Sequence, residues 1–415
     1  MKRVVLPLLL TSALLIAGGY KIPETSLNAV ALSAANVAHS QGADAAYYNP
    51  ANMIFMKDEN ILEVGLMYIG LGKINYQGSY TNSFSSTTSG HNIDTNKENF
   101  LVPSLNYVSG DVNGARFGLS IASSAGLSKR WSSAPAVYVA EEFTLHTVEV
   151  NPTVALRVGE KLAVAVGIRG VYANGVVKST SPIASRDMDG DSIDFGYNLA
   201  LSYKPTSKLD LALTYRSKID LNIEGDATLF YQDVTNSFGG GVGTAYSSSS
   251  EAEVSVPIPA LLSIAVAYTL PTETTLEFVY ERNFWHSYSE LDFNYGSSVN
   301  PVTNYVFGRS VAKNWKDTNA FRFGITQELD KFTVMGGVVF DQSPIPDSTL
   351  SFELPDSNSV SISLGTRYQI NEKLNAGIAA LYSIREDRRV SNETLDGEFT
   401  DADVLIVSAG LEYKF

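Results

Sequence analysis

The four histidines, His39, His91, His146 and His286, are scattered, and none has a neighbouring serine or carboxylate at a spacing that suggests a hydrolase. Triads assemble in space rather than along the chain, and cysteine is absent, so no disulfide framework is expected. No catalytic residue, metal ligand or cofactor is assigned. The chemistry on offer is that of basic side chains in apolar surroundings. Arg169, Arg216, Lys218 and Lys316 fall on the polar parity of alternating segments, and a cation in an apolar pocket is what a carboxylate needs. Acids close by in sequence, Asp210, Asp220, Glu224 and Asp317, offer each a plain ion pair instead. For Arg216 and Lys218 the ion pair is the better expectation.

Those residues need elements to hold them. The chain opens with "MKRVVLPLLLTSALLIAGG": basic Lys2 and Arg3, an apolar run from Val4 to Ile16, then small residues Ala17 to Gly19. This predicts a signal peptide over residues 1–19, the run being too short to cross a bilayer of roughly 30 Å. No later segment has eighteen apolar residues free of charge. The formal charge is −14, from 30 basic and 44 acidic residues. Without Lys2 and Arg3 it becomes 28 − 44 = −16. So acidic a chain carries no general phosphate-binding footprint, and nucleic acid is not an expected partner.

From Asn60 onward the sequence alternates between apolar and small or polar residues, with no helical period. In "FGYNLALSY", Phe195, Tyr197, Leu199, Leu201 and Tyr203 share one face. In "LDLALTYRSKIDLNIEG" the apolar face reads Leu209, Leu211, Leu213 and Tyr215, then Ile219, Leu221 and Ile223. About fourteen such segments follow one another, an even number, joined alternately by short turns and by long loops rich in Ser, Thr, Asn and Gly. The pattern predicts an all-β fold, a transmembrane antiparallel β-barrel of about 14 strands over residues 59–415. A soluble β-sandwich would not alternate loop length so regularly. The final "GLEYKF" puts Leu411, Tyr413 and Phe415 on one face.

A barrel of this size encloses more space than its own side chains fill. The small, weakly apolar stretch "SAANVAHSQGADAAYYNPANM" (33–53) is too apolar for a solvated tail. Residues 20–58 are therefore expected to fold inside the lumen as a hatch, with Pro50 stopping any helix at Asn49.

Several segments resemble the FadL-type outer-membrane transporters of long-chain fatty acids, whose relatives import aromatic hydrocarbons. "GYKIPETS" is similar to the family's mature N-terminus, and Asn49-Pro50-Ala51 to its hatch motif. "YRSK…EGDA" and "DQSPIPD…LPDS" are the more specific matches, and the likeness runs from about residue 19 to Phe415. It implies passive uptake of hydrophobic compounds in the bacterial outer membrane, long-chain fatty acids first and aromatic or alkane hydrocarbons second, and not an enzyme. Substrate would be caught among loop aromatics such as Phe84, Trp131, Phe143, Phe230 and Trp285. From a lumenal pocket it would leave sideways at a kinked third strand, for which Ser124, Ala125 and Gly126 are the candidates, since glycine within a strand marks a bulge or bend. Lys316 matches a basic residue of the family pocket. Where a second is expected beyond "VYA", only Lys178 is present. The C-terminal Tyr413 and Phe415 resemble the signal read by the barrel assembly machinery, and a monomer in a lipopolysaccharide-containing membrane is expected. A general porin would lack the hatch, and an adhesin would need a larger loop domain.

Overall fold

The computed structural model describes residues 18–81, 88–233, 244–296 and 299–415. Most of the expected signal segment, and Phe84, lie outside the described residues. Among those described, no helix is long and apolar enough to cross a membrane.

Fourteen antiparallel strands close on themselves. They are β1 (Ile61–Leu71), β2 (Glu98–Val108), β3 (Ala115–Ala122 and Gly126–Arg130), β4 (Glu142–Arg157), β5 (Leu162–Thr180), β6 (Ala184–Thr206) and β7 (Leu209–Arg216 and Ile219–Gln232). The circuit continues through β8 (Ala245–Ile258 and Ala260–Thr269), β9 (Thr274–Phe284), β10 (Thr318–Glu328), β11 (Phe332–Asp341), β12 (Ser359–Gln369), β13 (Leu374–Arg385) and β14 (Val404–Lys414). Strand β14 returns to β1 in register from Ile61↔Lys414 to Leu71↔Val404. Closure leaves no edge strand in lipid, where an unpaired backbone group would be costly.

The outward faces read as the alternation requires. Phe195 is 71% exposed and Tyr197, Leu199, Leu201 and Tyr203 share its face, while Asn198, Ala200 and Ser202 are buried in the lumen. Higher on β6 the polarity changes places. Asp187, Asp189 and Asp191 stand on the outside where Ile193 and Phe195 stand below, and Met188 and Gly190 face in. In β7 the change comes with a break: Arg216 points in, the two-residue interruption at Ser217 and Lys218 shifts the phase by one, and Ile219, Leu221 and Ile223 then point in. Strand β8 shifts in the same way at Pro259, whose ring cannot donate to a ladder. The single continuous apolar face expected across residues 209–223 is thus two faces on opposite sides of the wall. Above the hydrocarbon the outside meets water, so the apolar side chains turn inward. The same cause makes these strands longer than expected, since their polar upper parts read as loops in the sequence.

The hatch fills the lower lumen. A short helix α1 (Leu27–Ala31) is capped by Ser26, whose Oγ accepts from the Ala29 amide at 3.1 Å. A second, α2 (Ala45–Tyr48), leads into a 3-10 turn at Pro50–Phe55. Asn49 caps that turn through its Oδ1, and its Nδ2 donates to the Val37 carbonyl at 2.7 Å and to Ser202 Oγ of β6 at 2.9 Å. Close approach demands small wall residues: a Cβ on Gly337 of β11 would sit 2.2 Å from the Leu32 carbonyl carbon. Three successive amides of the hatch, Val37, Ala38 and His39, donate to the Glu277 carboxylate of β9. Over the opposite, long-loop end, strands Asn75–Thr81, Thr88–Asp94, Arg388–Ser391 and Leu395–Thr400 form a separate four-stranded sheet.

Candidate functional site

The inward turn of the apolar side chains in the upper wall builds a cavity of about 850 Å³ with its opening to solvent counted in. Its walls are aliphatic or bare backbone, including Val177, Met188, Ile223 and Val254, and the loops close over it with Tyr288, Trp315 and Leu354. One corner is polar. Lys313, buried at 4% exposure, forms an ion pair through Nζ with Glu353 Oε1, and its carbonyl accepts from Thr349 Oγ1 at 2.6 Å. Glu353 Oε2 and Ser351 Oγ are buried without a hydrogen-bond partner among the described residues. The Tyr288 phenol is pushed well above its ordinary pKa by burial and then by the charge of Glu353, and so stays a neutral hydroxyl.

The floor of this cavity is the N-terminal segment. The Tyr20 ring packs edge-on to Trp285 at 4.9 Å and against Trp315 at 5.6 Å. Its hydroxyl donates to the Pro257 carbonyl beside the β8 break. Gly19 has φ +79°, and a Cβ there would lie 2.7 Å from the Trp285 ring, so only glycine lets the backbone pass under the two indoles. Residues Tyr20 to Ile22 then pair with the interruption in β3. Gly126 N donates to the Tyr20 carbonyl at 2.8 Å, Ile22 N to the Ser124 carbonyl at 3.0 Å, and Lys21 lies opposite Ala125.

That interruption is a gap in the wall ladder. Strand β2 pairs with β3 from Val108↔Gly118 to Leu105↔Ile121 and no higher. The chain then steps inward through Ser123 to Ala125, where the Ala125 amide donates to Thr147 Oγ1 at 3.2 Å. The wall resumes above, where Asn96 N donates to the Arg130 carbonyl at 2.9 Å and Arg130 pairs with Glu98. A second cavity, about 610 Å³ with its opening to solvent counted in, lies on the far side of the strap formed by Tyr20 to Ile22, lined by Lys21, Ser124, Arg169, Arg216, Pro259 and Glu281 among others. Tyr20 borders the upper cavity and Lys21 the lower one, so three residues divide the two.

The charges of the lower cavity are spent on one another. Glu149 lies between two guanidiniums: Arg169 meets it at 2.9 and 3.2 Å, and Arg216 pairs with its Oε1. Arg169 also donates to the Ser217 carbonyl at 2.8 Å, and Arg216 stacks 4.2 Å over the Tyr47 ring. Lys21 pairs with Glu281, which Arg322 also reaches at 3.3 Å, and Arg322 goes on to Glu24 at 3.4 Å. Among the described residues no group of three or more acidic or imidazole side chains is arranged to hold a metal ion.

Set against the sequence-based candidates, Arg169 and Arg216 do share a chamber, with Glu149 as partner in place of the acids nearer in sequence. Lys218 pairs on the surface with Asp220 at 2.8 Å. Lys178 is 38% exposed and pairs with Asp187 at 3.3 Å, away from both cavities. Lys316 is exposed and borders neither cavity. In this non-helical stretch Lys313 and Trp315 take the inward parity and Asn314 and Lys316 the outward one. The lysine of the upper cavity is therefore Lys313, which the sequence reading passed over, as it did Glu353. Asp317 is taken up by Arg282 at 3.2 Å and His286 at 2.7 Å. Burial alone would raise the Asp317 pKa, but the His286 hydrogen bonds and the Arg282 charge hold it low. Of the loop aromatics, Phe143 borders the upper cavity, Trp285 lies under Tyr20, and Trp131 is buried against Phe352. Tyr413 and Phe415 stack at 5.7 Å on the outside, and the chain end exchanges backbone hydrogen bonds with Asn60.

Comparison with known proteins places this geometry. Residues 8–415 match the family model described as outer membrane protein transport protein (OMPP1/FadL/TodX). The long-chain fatty acid transport protein of Salmonella typhi is 22% identical over 360 residues, covering 80% of each chain. That of Escherichia coli K12 is 21% identical over 375 residues, again 80% of each. The crystal structure of a Pseudomonas aeruginosa FadL homologue superposes with a TM-score of 0.80 at 18% identity, covering 95% of this chain and 99% of the other. The Pseudomonas putida toluene transporter TodX gives 0.72 at 16% identity, covering 96% and 99%. The chain belongs to the OMPP1/FadL/TodX family of outer membrane transport proteins.

Proposed function

We propose that this protein carries out passive uptake of hydrophobic small molecules, with long-chain aliphatic acids as the first substrate class and aromatic or alkane hydrocarbons as the second. The upper cavity has the concave shape and apolar lining of a site for a ligand of that kind. Burying a methylene is worth about 0.8 kcal/mol, so a sixteen-carbon chain carries on the order of 10 kcal/mol of gross driving force into such a site. Binding is thus easy and release is the difficult step. In our reading the strap Tyr20–Ile22 leaves the β3 interruption, the two cavities join, and the ligand exits sideways past Ser124, Ala125 and Gly126 into lipid, where its chain stays solvated. The Tyr413 and Phe415 pair serves assembly into the membrane.

The observation that carries this reading is the pairing of the strap with the interrupted strand, two backbone hydrogen bonds that seal both the floor of the cavity and the gap in the wall. Lys21 and Ala125 face each other across a non-hydrogen-bonded antiparallel pair, the geometry in which Cβ atoms come within disulfide reach. Lys21→Cys with Ala125→Cys, in a chain that has no other cysteine, should take up a radiolabelled fatty acid when reduced and stop when oxidised. Equal uptake in both states would send the substrate by another path.

A further inference from the structure

The polar corner of the upper cavity is built for a particular kind of head group. Lys313 and Glu353 cancel in charge. The lysine has three N–H donors, and Glu353 is the only hydrogen-bond partner of Nζ among the described residues. Beside it Glu353 Oε2 and Ser351 Oγ are buried with no hydrogen-bond partner among the described residues, a costly state for a carboxylate oxygen. Among the described residues the corner therefore lacks a second group that accepts from Lys313 and a group that donates to Glu353 Oε2. The other charged residues of the cavity wall, Asp189 and Glu253, turn their carboxylates outward, so the charges that face the cavity are those of Lys313 and Glu353.

We propose that the cavity selects lipophiles whose head is uncharged and both donates and accepts a hydrogen bond, a primary alcohol or an undissociated carboxylic acid, over the ionised carboxylate. This rests on the upper cavity being the substrate site. The head-group oxygen accepts from Lys313 Nζ and its hydroxyl hydrogen goes to Glu353 Oε2. An ionised carboxylate brings no donor, lies against the Glu353 oxygen, and must compete with it for the lysine. A plain alkane leaves both groups unsatisfied.

The test uses the purified full-length protein in detergent, with the fluorescence of the cavity tryptophan Trp315 reporting titrations of dodecanol, dodecanoate and dodecane at mildly alkaline pH. Dodecanol should bind at least about tenfold more tightly than dodecanoate, the worth of one hydrogen bond to a charged group. In Glu353→Gln, which leaves the lysine charge uncompensated, dodecanoate should gain about tenfold or more and the preference should vanish or reverse. Dodecanoate binding as tightly as dodecanol in the unaltered protein overturns the proposal while leaving the cavity as the site. An alcohol preference unchanged in a correctly folded Glu353→Gln variant overturns it as well, because the ion pair is then not its cause. No binding of any of the three removes the site itself.

Discussion

The buried triad of Glu149, Arg169 and Arg216 gives the sharpest stability prediction. All three side chains are at most 11% exposed, and Glu149 accepts from both guanidiniums. Glu149→Gln keeps the shape and removes the charge, leaving two cations in the lumen whose acceptors are the neutral amide oxygen and the Ser217 and Tyr47 carbonyls. Breaking a buried pair by removing one partner costs about 3–5 kcal/mol, because the other charge stays desolvated. Two guanidiniums depend on this carboxylate, and the neutral amide keeps the shape and one acceptor, so the middle of that range is expected. The control is Lys178→Ala, whose pair with Asp187 is solvent-exposed and should be worth about 1 kcal/mol or less. Denaturant unfolding in phospholipid vesicles, followed by the mobility of unboiled samples on gels, measures both. A loss for Glu149→Gln no larger than that of Lys178→Ala would mean that water compensates the arginines and that the charges do not hold hatch and wall together.

Other outcomes follow from the same contacts. Deleting Tyr20 to Met56 should turn a nearly closed barrel into a conducting one in planar bilayers, and an unchanged single-channel conductance would show that those residues do not block the lumen. Asn49→Ala removes the cap of the 3-10 turn and two bonds from its amide, a loss of about 1–2 kcal/mol from local hatch stability; hydrogen exchange of the Ala51 and Asn52 amides should quicken, and unchanged protection would refute it. Lys316→Ala should alter fatty-acid affinity by less than about twofold, as for an exposed residue outside the site, and a tenfold loss by equilibrium binding would return the head-group role to Lys316.

The barrel was legible because its cause is local: each crossing segment carries its own two-residue period, and loop length marks the two ends. The hatch could be read from the volume a wide barrel must fill and from a stretch rich in small residues. The cavity was harder. Its signal is a reversal of polarity along one strand, visible in Asp187, Asp189, Asp191, Ile193 and Phe195 on a single parity, but its lining comes from β3 to β8 and from loops far apart in sequence. In β7 the phase shift at Ser217 and Lys218 hides the reversal, since the residues keep alternating while their faces change sides. Glu149 could not be found as the partner of Arg169 and Arg216, because cross-strand register decides it and nearer acids compete on paper. Lys316 was preferred through the family resemblance, whereas Lys313, two residues before Trp315, shares its side if the stretch is extended.

The height of the wall has a consequence for where exchange with the surroundings takes place. Strand β6 runs from Ala184 to Thr206, while about 9–11 residues suffice to cross the hydrocarbon. About half of the strand, at roughly 3.3 Å per residue, therefore stands proud of the acyl chains. The barrel works as a chimney whose upper storey is dressed in carboxylates outside and in hydrocarbon inside. On the proposed route a lipophile would trade water for protein while still above the head groups, and would meet lipid only after descending. A detergent micelle would wrap the lower storey alone, so the loops over the upper cavity stay in contact with water even when the protein has been taken out of its membrane.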